Sequence, residues 1–198
     1  MRSGLVDAAA RLIAVEGPGA LTIRRVAEEV GTSTMGIYTH FGGMPELRRA
    51  VRREGYARLA SAIARVEDTD DPVYDLAMIG RAYNENAIEN PHLYRVMFME
   101  QPLDEADAET GSDTRESLTS AIRRCIDAGR FAPADPGDLA REFWAFGHGV
   151  VALLLVGFLS PEETRRCLVD GALKLFIGFG DEPSAASDST ARAAKAHA

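Results

Sequence analysis

The chain has 198 residues, 46% hydrophobic and 26% charged, with 22 Lys+Arg against 30 Asp+Glu for a formal net charge of −8. That is an ordinary soluble globular composition, long enough for one large domain or for a small domain joined to a larger one. Two cysteines, Cys125 and Cys167, stand 42 residues apart outside any Cys-x-x-Cys or Cys/His cluster, which argues against a disulfide framework or a zinc site and for a reducing cytoplasm.

From the N-terminus, Leu5, Ala8, Ala9, Leu12 and Ile13 follow the i, i+3, i+4, i+7, i+8 rule of an amphipathic helix that stops at "EGPGA". With Asp7 and Glu16 and no long apolar core, this opening does not read as a signal peptide. Thr22 caps a second helix whose inner face is Ile23, Val26, Ala27 and Val30, Leu21 is placed to staple onto Val26, and Gly31 ends it. A short third helix follows over residues 34–41, then a long fourth over residues 45–66. The fourth carries Leu47, Val51, Leu59, Ile63 and Val66 on one face and Arg48, Arg49, Arg52, Arg53 and Arg58 on the other.

Pro72 opens a helix bearing Leu76, Gly80, Tyr83 and Ala87 that "ENP" stops. "HLYRVMFME" predicts a short helix apolar nearly all round, and "QPLDEADAETGSD" a mobile acidic loop. Leu118, Ala121, Ile122 and Ile126 mark the next helix. Two long ones end the folded part, over residues 136–159 and 161–179, the second opened by the capping box Ser160-Pro161-Glu162-Glu163. Residues 143–161 form a run of 19 without Asp, Glu, Lys or Arg, the length of a membrane span, but His148 and three glycines interrupt it and no basic flank accompanies it. A buried helix in a core or a subunit interface is the better reading. Beyond Gly180 the chain is poor in apolar residues and reads as a disordered tail. The result is an all-α chain of about nine helices, without strand alternation.

The third helix, "TMGIYTHF", is made of poor helix formers. At 100° per residue Ile37 and Phe41 face inward together, leaving Met35, Gly36, Tyr38 and Thr39 outward. Two helices joined by a tight glycine-containing turn form a helix-turn-helix, whose second helix enters the DNA major groove. An outward face chosen for helix propensity would carry Ala, Glu and Lys. This one offers an apolar Met35 for a thymine methyl, Thr34 and Thr39 for base edges or phosphate, and Tyr38 and His40 for the backbone. The alternative is a capped surface turn of a helical bundle. Charge distribution bears on the choice: residues 1–60 hold 9 Lys+Arg against 6 Asp+Glu, a net of +3, and the rest 13 against 24, a net of −11. Because phosphate neutralisation is local, an acidic protein can bind DNA through one basic module.

"LTIRRVAEEVGTSTMGIYTHFGGMPEL", Leu21 to Leu47, resembles the DNA-binding domain of TetR-family transcriptional regulators. "NPHLYRVMF" and "WAFGHGVVALLLVG" resemble the subgroup of their ligand-binding domains with a Trp, His, Gly signature, here Trp144, His148 and Gly149. The resemblance implies a three-helix DNA-binding domain at residues 1–45, a larger helical effector-binding and dimerisation domain at 46–180, and a tail at 181–198. It implies DNA contacts from Thr22, Arg24, Ser33, Thr34, Met35, Gly36, Tyr38, Thr39 and His40. Where family members usually carry a phosphate-pairing lysine at the start of the fourth helix, this chain has Met44, with Arg48 or Arg49 one turn on as substitutes.

Trp144 and His148 share a helix face with Val151 and Leu155. The effector site is expected to be apolar with few polar groups, drawn from Tyr83, Tyr94, Met97, Phe98, Phe143, Trp144 and His148, with ordinary core packing as the alternative for each. The resemblance also implies a homodimer through the helices at 136–159 and 161–179, which present Phe146, Val150, Leu154, Phe158, Leu168, Ala172, Leu175, Phe176 and Phe179. The implied function is a cytoplasmic repressor released from a palindromic operator by a small, largely apolar effector, through the fourth helix as lever. No catalytic residue, cofactor or metal is expected: there is no HExxH, no GxSxG and no glycine-rich phosphate loop. A helical adaptor without sequence-specific DNA binding is the alternative function.

Overall fold

The computed structural model describes residues 2–196. Every regular element among them is helical: α1 (Arg2–Glu16), a 3-10 turn (Pro18–Ala20), α2 (Ile23–Val30), α3 (Thr34–Phe41), α4 (Met44–Ile63), α5 (Pro72–Glu89), α6 (Pro91–Phe98), α7 (Glu105–Ala108), α8 (Ser112–Asp127), α9 (Pro136–Leu155), α10 (Pro161–Gly178) and α11 (Pro183–Lys195). They gather into two compact units, Met1–Leu59 with Glu89–Ser112, and Ala60–Ile88 with Asp113–Ala198. A division of the chain at residue 45 falls in the first turn of α4.

In the first unit α1 sends Leu5, Val6, Leu12 and Ile13 into a core shared with Val26 of α2, Ile37 and Phe41 of α3, Leu47 and Val51 of α4, and Leu93 and Val96 of α6. Each large apolar side chain so buried contributes about 1.5–3 kcal/mol. Of the arginines of α4 only Arg53 is exposed. Arg52 is 5% exposed, paired with Asp107 of α7 at 3.2 Å, and donates to the carbonyls of Met97 and Glu100, each at 3.0 Å. Arg58 reaches Asp7 and Glu54, each at 2.9 Å, and Asn90 at 2.8 Å. The stretch that sequence alone reads as a mobile acidic loop is instead held by Arg52 on Asp107 and by Arg49 on Asp104. Asp104 caps α7, and Asp107 accepts from Leu103 N–H at 3.0 Å, because a buried arginine needs a carboxylate beside it.

The second unit is centred on an aromatic cluster. Phe176 stacks on Phe131 and Phe143 with ring centroids 5.8 and 5.4 Å away, and Phe131 meets Phe179 at 5.4 Å. The capping box at Ser160 and Glu163 is formed, with Pro161 in the first helical turn. α9 ends at Leu155 and begins with Asp138, Arg141 and Glu142 among its residues, so the uncharged run does not become a span. No helix among the described residues is long and apolar enough to cross a membrane.

The expected disordered tail is corrected by α11, whose Ala186, Ser189, Thr190 and Ala193 are buried. The last two residues of that expected tail, 197 and 198, lie outside the described ones. Ala186 joins the second unit's core, and ionic contacts add to this packing. Arg130 grips the buried Asp181 through two contacts at 2.6 and 2.7 Å, holds Asp71 at 2.8 Å, and donates to Ser189 of α11, whose hydroxyl donates in turn to Asp71 at 2.6 Å. Arg192 of α11 closes the cluster on Asp71 and lies over the Tyr74 ring. Burial opposes ionisation of Asp71, but Ser189, the Tyr74 N–H and Arg130 together hold it below its ordinary value.

Replacing Arg130 with Ala leaves Asp181 buried without its cation. Unfolding in urea should show a loss of about 3 kcal/mol, the lower end for breaking a buried pair because Arg130 is itself 23% exposed. An unchanged midpoint would contradict the ionic account of α11.

Candidate functional site

The short α3 is built by its ends. Ser33 accepts a hydrogen bond from the Gly36 N–H at 3.3 Å, and Gly42 closes the helix in the left-handed region at φ 74°, which favours glycine. Before it, Thr22 caps α2 by accepting from the Arg25 N–H at 3.2 Å, and Gly31 turns the chain at φ 70°. Ile37 and Phe41 are buried, while Met35 is 69% and Tyr38 51% exposed. Thr34, Thr39 and His40 are exposed too, and Gly36 is half-buried. All nine residues expected at a DNA surface therefore lie in the first unit, on α3 and the ends of α2.

Their chemistry is not uniform. Thr22 and Ser33 use an oxygen lone pair as caps and keep a hydroxyl hydrogen for an outside acceptor. Thr39 spends its hydrogen on the Met35 carbonyl at 2.9 Å and can only accept. Arg24 already bonds Glu28 at 2.8 Å. Thr32 crowds the space beside Gly36: a Cβ there would meet the Thr32 hydroxyl at 3.0 Å.

The residues expected around an effector fall into two groups. Tyr94, Met97 and Phe98 belong to the first unit, where Tyr94 and Met97 are buried and Phe98 packs on Tyr94 and Tyr56 at centroid distances of 5.0 and 5.7 Å. Tyr83, Phe143, Trp144 and His148 belong to the second. There the Trp144 indole N–H donates to the Tyr83 oxygen at 3.3 Å, and the Tyr83 hydroxyl lies 3.2 Å from His148 Nδ1. The Tyr83 hydroxyl thus joins the indole and the imidazole in one hydrogen-bonded chain. Burial pushes His148 below its ordinary value. Phe143 instead faces the aromatic core.

Sequence reasoning missed Asn84, whose Oδ1 is buried without a hydrogen-bond partner and lies close to Gly147 on α9. Of the phenylalanines expected on the exposed side of the last long helices, Phe158 is exposed but Phe176 and Phe179 are not. Phe176 and Phe179 belong to the unit's own core, and the Phe146 ring sits where a side chain on Gly171 would be. The large apolar side chains left exposed on this part of the chain are Trp144, Leu153, Val156, Phe158 and Ile177, with Phe158 79% exposed.

Known proteins share this outline. Residues 5–51 match the family described as bacterial regulatory proteins, tetR family, and residues 76–176 match a tetracyclin repressor-like C-terminal domain. An uncharacterized HTH-type transcriptional regulator of Mycobacterium tuberculosis is 31% identical over 181 residues, covering 90% of this chain and 81% of that protein. Among solved structures, a protein of unknown function from Rhodococcus sp. RHA1 is similar with a TM-score of 0.77 at 22% identity, covering 91% of this chain and 95% of that one. A TetR family transcriptional regulator from Thermus thermophilus is similar with a TM-score of 0.72 at 18% identity, covering 90% and 99%. At these identities the two structures share the fold.

Because burial lowers His148 below its ordinary value, the unfolded chain binds a proton more readily than the folded one, and stability falls as pH drops below about 6.5. His92 is lowered in the same direction by burial and by Arg11 and Arg95. Urea midpoints measured from pH 8 to pH 5.5 should therefore fall less for His148→Asn than for the parent. Parallel losses would show that His148 takes no part.

Proposed function

The chain belongs to the TetR family of bacterial transcriptional regulators, and on that premise we propose that it is a cytoplasmic repressor, released from its operator by a small, largely apolar effector. The observation that carries the DNA half is the outward face of α3: two side chains anchor it and the rest of its surface is exposed. We assign Thr34, Met35, Gly36 and Thr39 to the groove, and Thr22, Arg24, Ser33, Tyr38 and His40 to the DNA backbone beside it, within residues 1–45. Cap hydroxyls with a hydrogen to spare suit phosphate oxygens, and the Met35 thioether suits a thymine methyl.

The effector half is assigned to residues 46–180. Tyr83, Trp144 and His148 form a hydrogen-bonded chain, Gly149 follows on the same helix, and Asn84 keeps a buried acceptor unpaired beside it. This supports a Trp, His, Gly type of ligand domain; Tyr94, Met97 and Phe98 of the first unit, and Phe143 of the second unit's aromatic core, stay effector candidates each within its own unit. Such a site takes a mostly apolar molecule bearing a hydrogen-bonding group. Helix α4, which contributes residues to both units, is the element assigned to transmission. An effector that prefers the form with the wrong recognition-helix spacing weakens DNA binding by its preference ratio, and DNA weakens effector binding equally. No catalytic step, cofactor or metal belongs to this reading.

Exposed Leu153, Val156, Phe158 and Ile177 support a homodimer through α9 and α10, with Ala145 and Gly149 as small exposed residues on the same surface. A two-fold dimer places its recognition helices roughly 34–36 Å apart, so the operator is near-palindromic.

Selection of bound duplexes from a random pool should return a palindrome with half-sites one helical turn apart. On that duplex, Tyr38→Ala should weaken binding by about 1–3 kcal/mol in a mobility shift, and no change would remove Tyr38 from the interface. Val156→Asp should shift the chain from dimer to monomer in light scattering and weaken operator binding with it. A dimer that survives places the interface elsewhere.

A further inference from the structure

A basic surface attracts phosphate only as far as its charges are not already neutralised from within the fold. In the first unit most are. Arg25 holds Glu16 through two contacts at 2.5 and 2.6 Å, Arg24 holds Glu28 at 2.8 Å, Arg11 faces Glu29 at 3.7 Å and Arg53 faces Glu46 at 3.6 Å. Arg49 lies between Glu46 and Asp104, Arg58 between Asp7 and Glu54, and Arg52 is buried on Asp107. Arg48 is half-buried with partners of its own. A phosphate approaching one of the paired arginines must compete with a carboxylate.

Arg2 is different. It is exposed, no carboxylate lies against it among the described residues, and its guanidinium carbon stands 5.0 Å over the Phe41 ring. An aromatic face leaves the positive charge intact and takes the flat side of the guanidinium, so the N–H donors along its edge remain available. Phe41 is one of the two anchors of α3, so the stack ties this cation to the last turn of the helix that faces outward. Met44, at the start of α4, is partly buried against the first unit's core and carries no charge.

We propose that Arg2, seated on Phe41, supplies the phosphate contact beside the recognition helix that Met44 cannot make. The proposal rests on the operator-binding reading above and goes beyond it by assigning the clamp to a residue of α1. The ligand is the phosphate backbone of duplex DNA, so the contact is indifferent to base sequence and contributes to salt dependence rather than to specificity.

The experiment measures binding of the full chain to the selected operator and to a scrambled duplex of the same length, from 50 to 300 mM KCl, for the parent, Arg2→Gln and Arg2→Lys. Thermal melts of each variant exclude loss of fold. Arg2→Gln should weaken binding to both duplexes by the same factor and reduce the slope of log K against log salt by about 1, and Arg2→Lys should keep the parent slope. An unchanged slope for Arg2→Gln overturns the proposal even if affinity falls, because a residue that merely props Phe41 would change affinity without changing the count of phosphates neutralised. A parent chain that fails to prefer the operator sinks the sequence-recognition reading instead, and the slope on the scrambled duplex still decides the role of Arg2.

Discussion

Two buried side chains, Ile37 and Phe41, hold α3 in place, and most of what the first unit does follows from how little else is needed. A helix of eight residues cannot stand on intrinsic propensity, least of all with glycine and β-branched residues in it. Ser33 and Gly42 close its ends, and the two anchors bury its inner face in the core that α1, α2, α4 and α6 share. The rest of its surface is then free of folding duty. Residues that would be poor choices for stability can be kept for contact with something outside.

Charge is organised around the same constraint. The N-terminal stretch is nominally positive, yet its arginines are largely occupied in joining helices: Arg58 ties α4 to α1, and Arg52 ties α4 to α7. In the second unit Arg130 plays the corresponding part, drawing Asp71, Asp181 and Ser189 together and docking α11. Exposed surface pairs contribute little to stability, whereas buried ones cannot lose a partner without leaving a desolvated charge behind. Counting arginines along a sequence therefore overstates the charge available to a ligand.

The second unit divides one long helix between two tasks. On α9, Phe143 joins the aromatic core while Trp144 and His148 turn toward Tyr83 of α5. Further along, Leu153 and Val156 face solvent in the isolated chain. The helical period makes this possible, since residues one turn apart share a face and their neighbours do not. Burial holds His148 below its ordinary value where it joins this chain.

Much of this was legible in the sequence. The capping box at Ser160, the Thr22 and Gly31 ends of α2, and the inward pair Ile37 and Phe41 are local signals, and local backbone chemistry fixes them without reference to the rest of the chain. The all-helical class follows from the same periodicity, and the TetR resemblance from a compact motif in α2 and α3. What the sequence could not carry were choices between equivalent-looking residues. Whether Phe176 meets a partner or its own core, whether Arg52 is solvated or buried, and whether residues 183–195 hang free or dock all depend on side chains more than 40 positions away, such as Phe131, Asp107 and Arg130. Periodicity tells which residues share a face. Only the packed structure decides what that face meets, because burial and ion pairing are properties of the neighbours rather than of the residue itself.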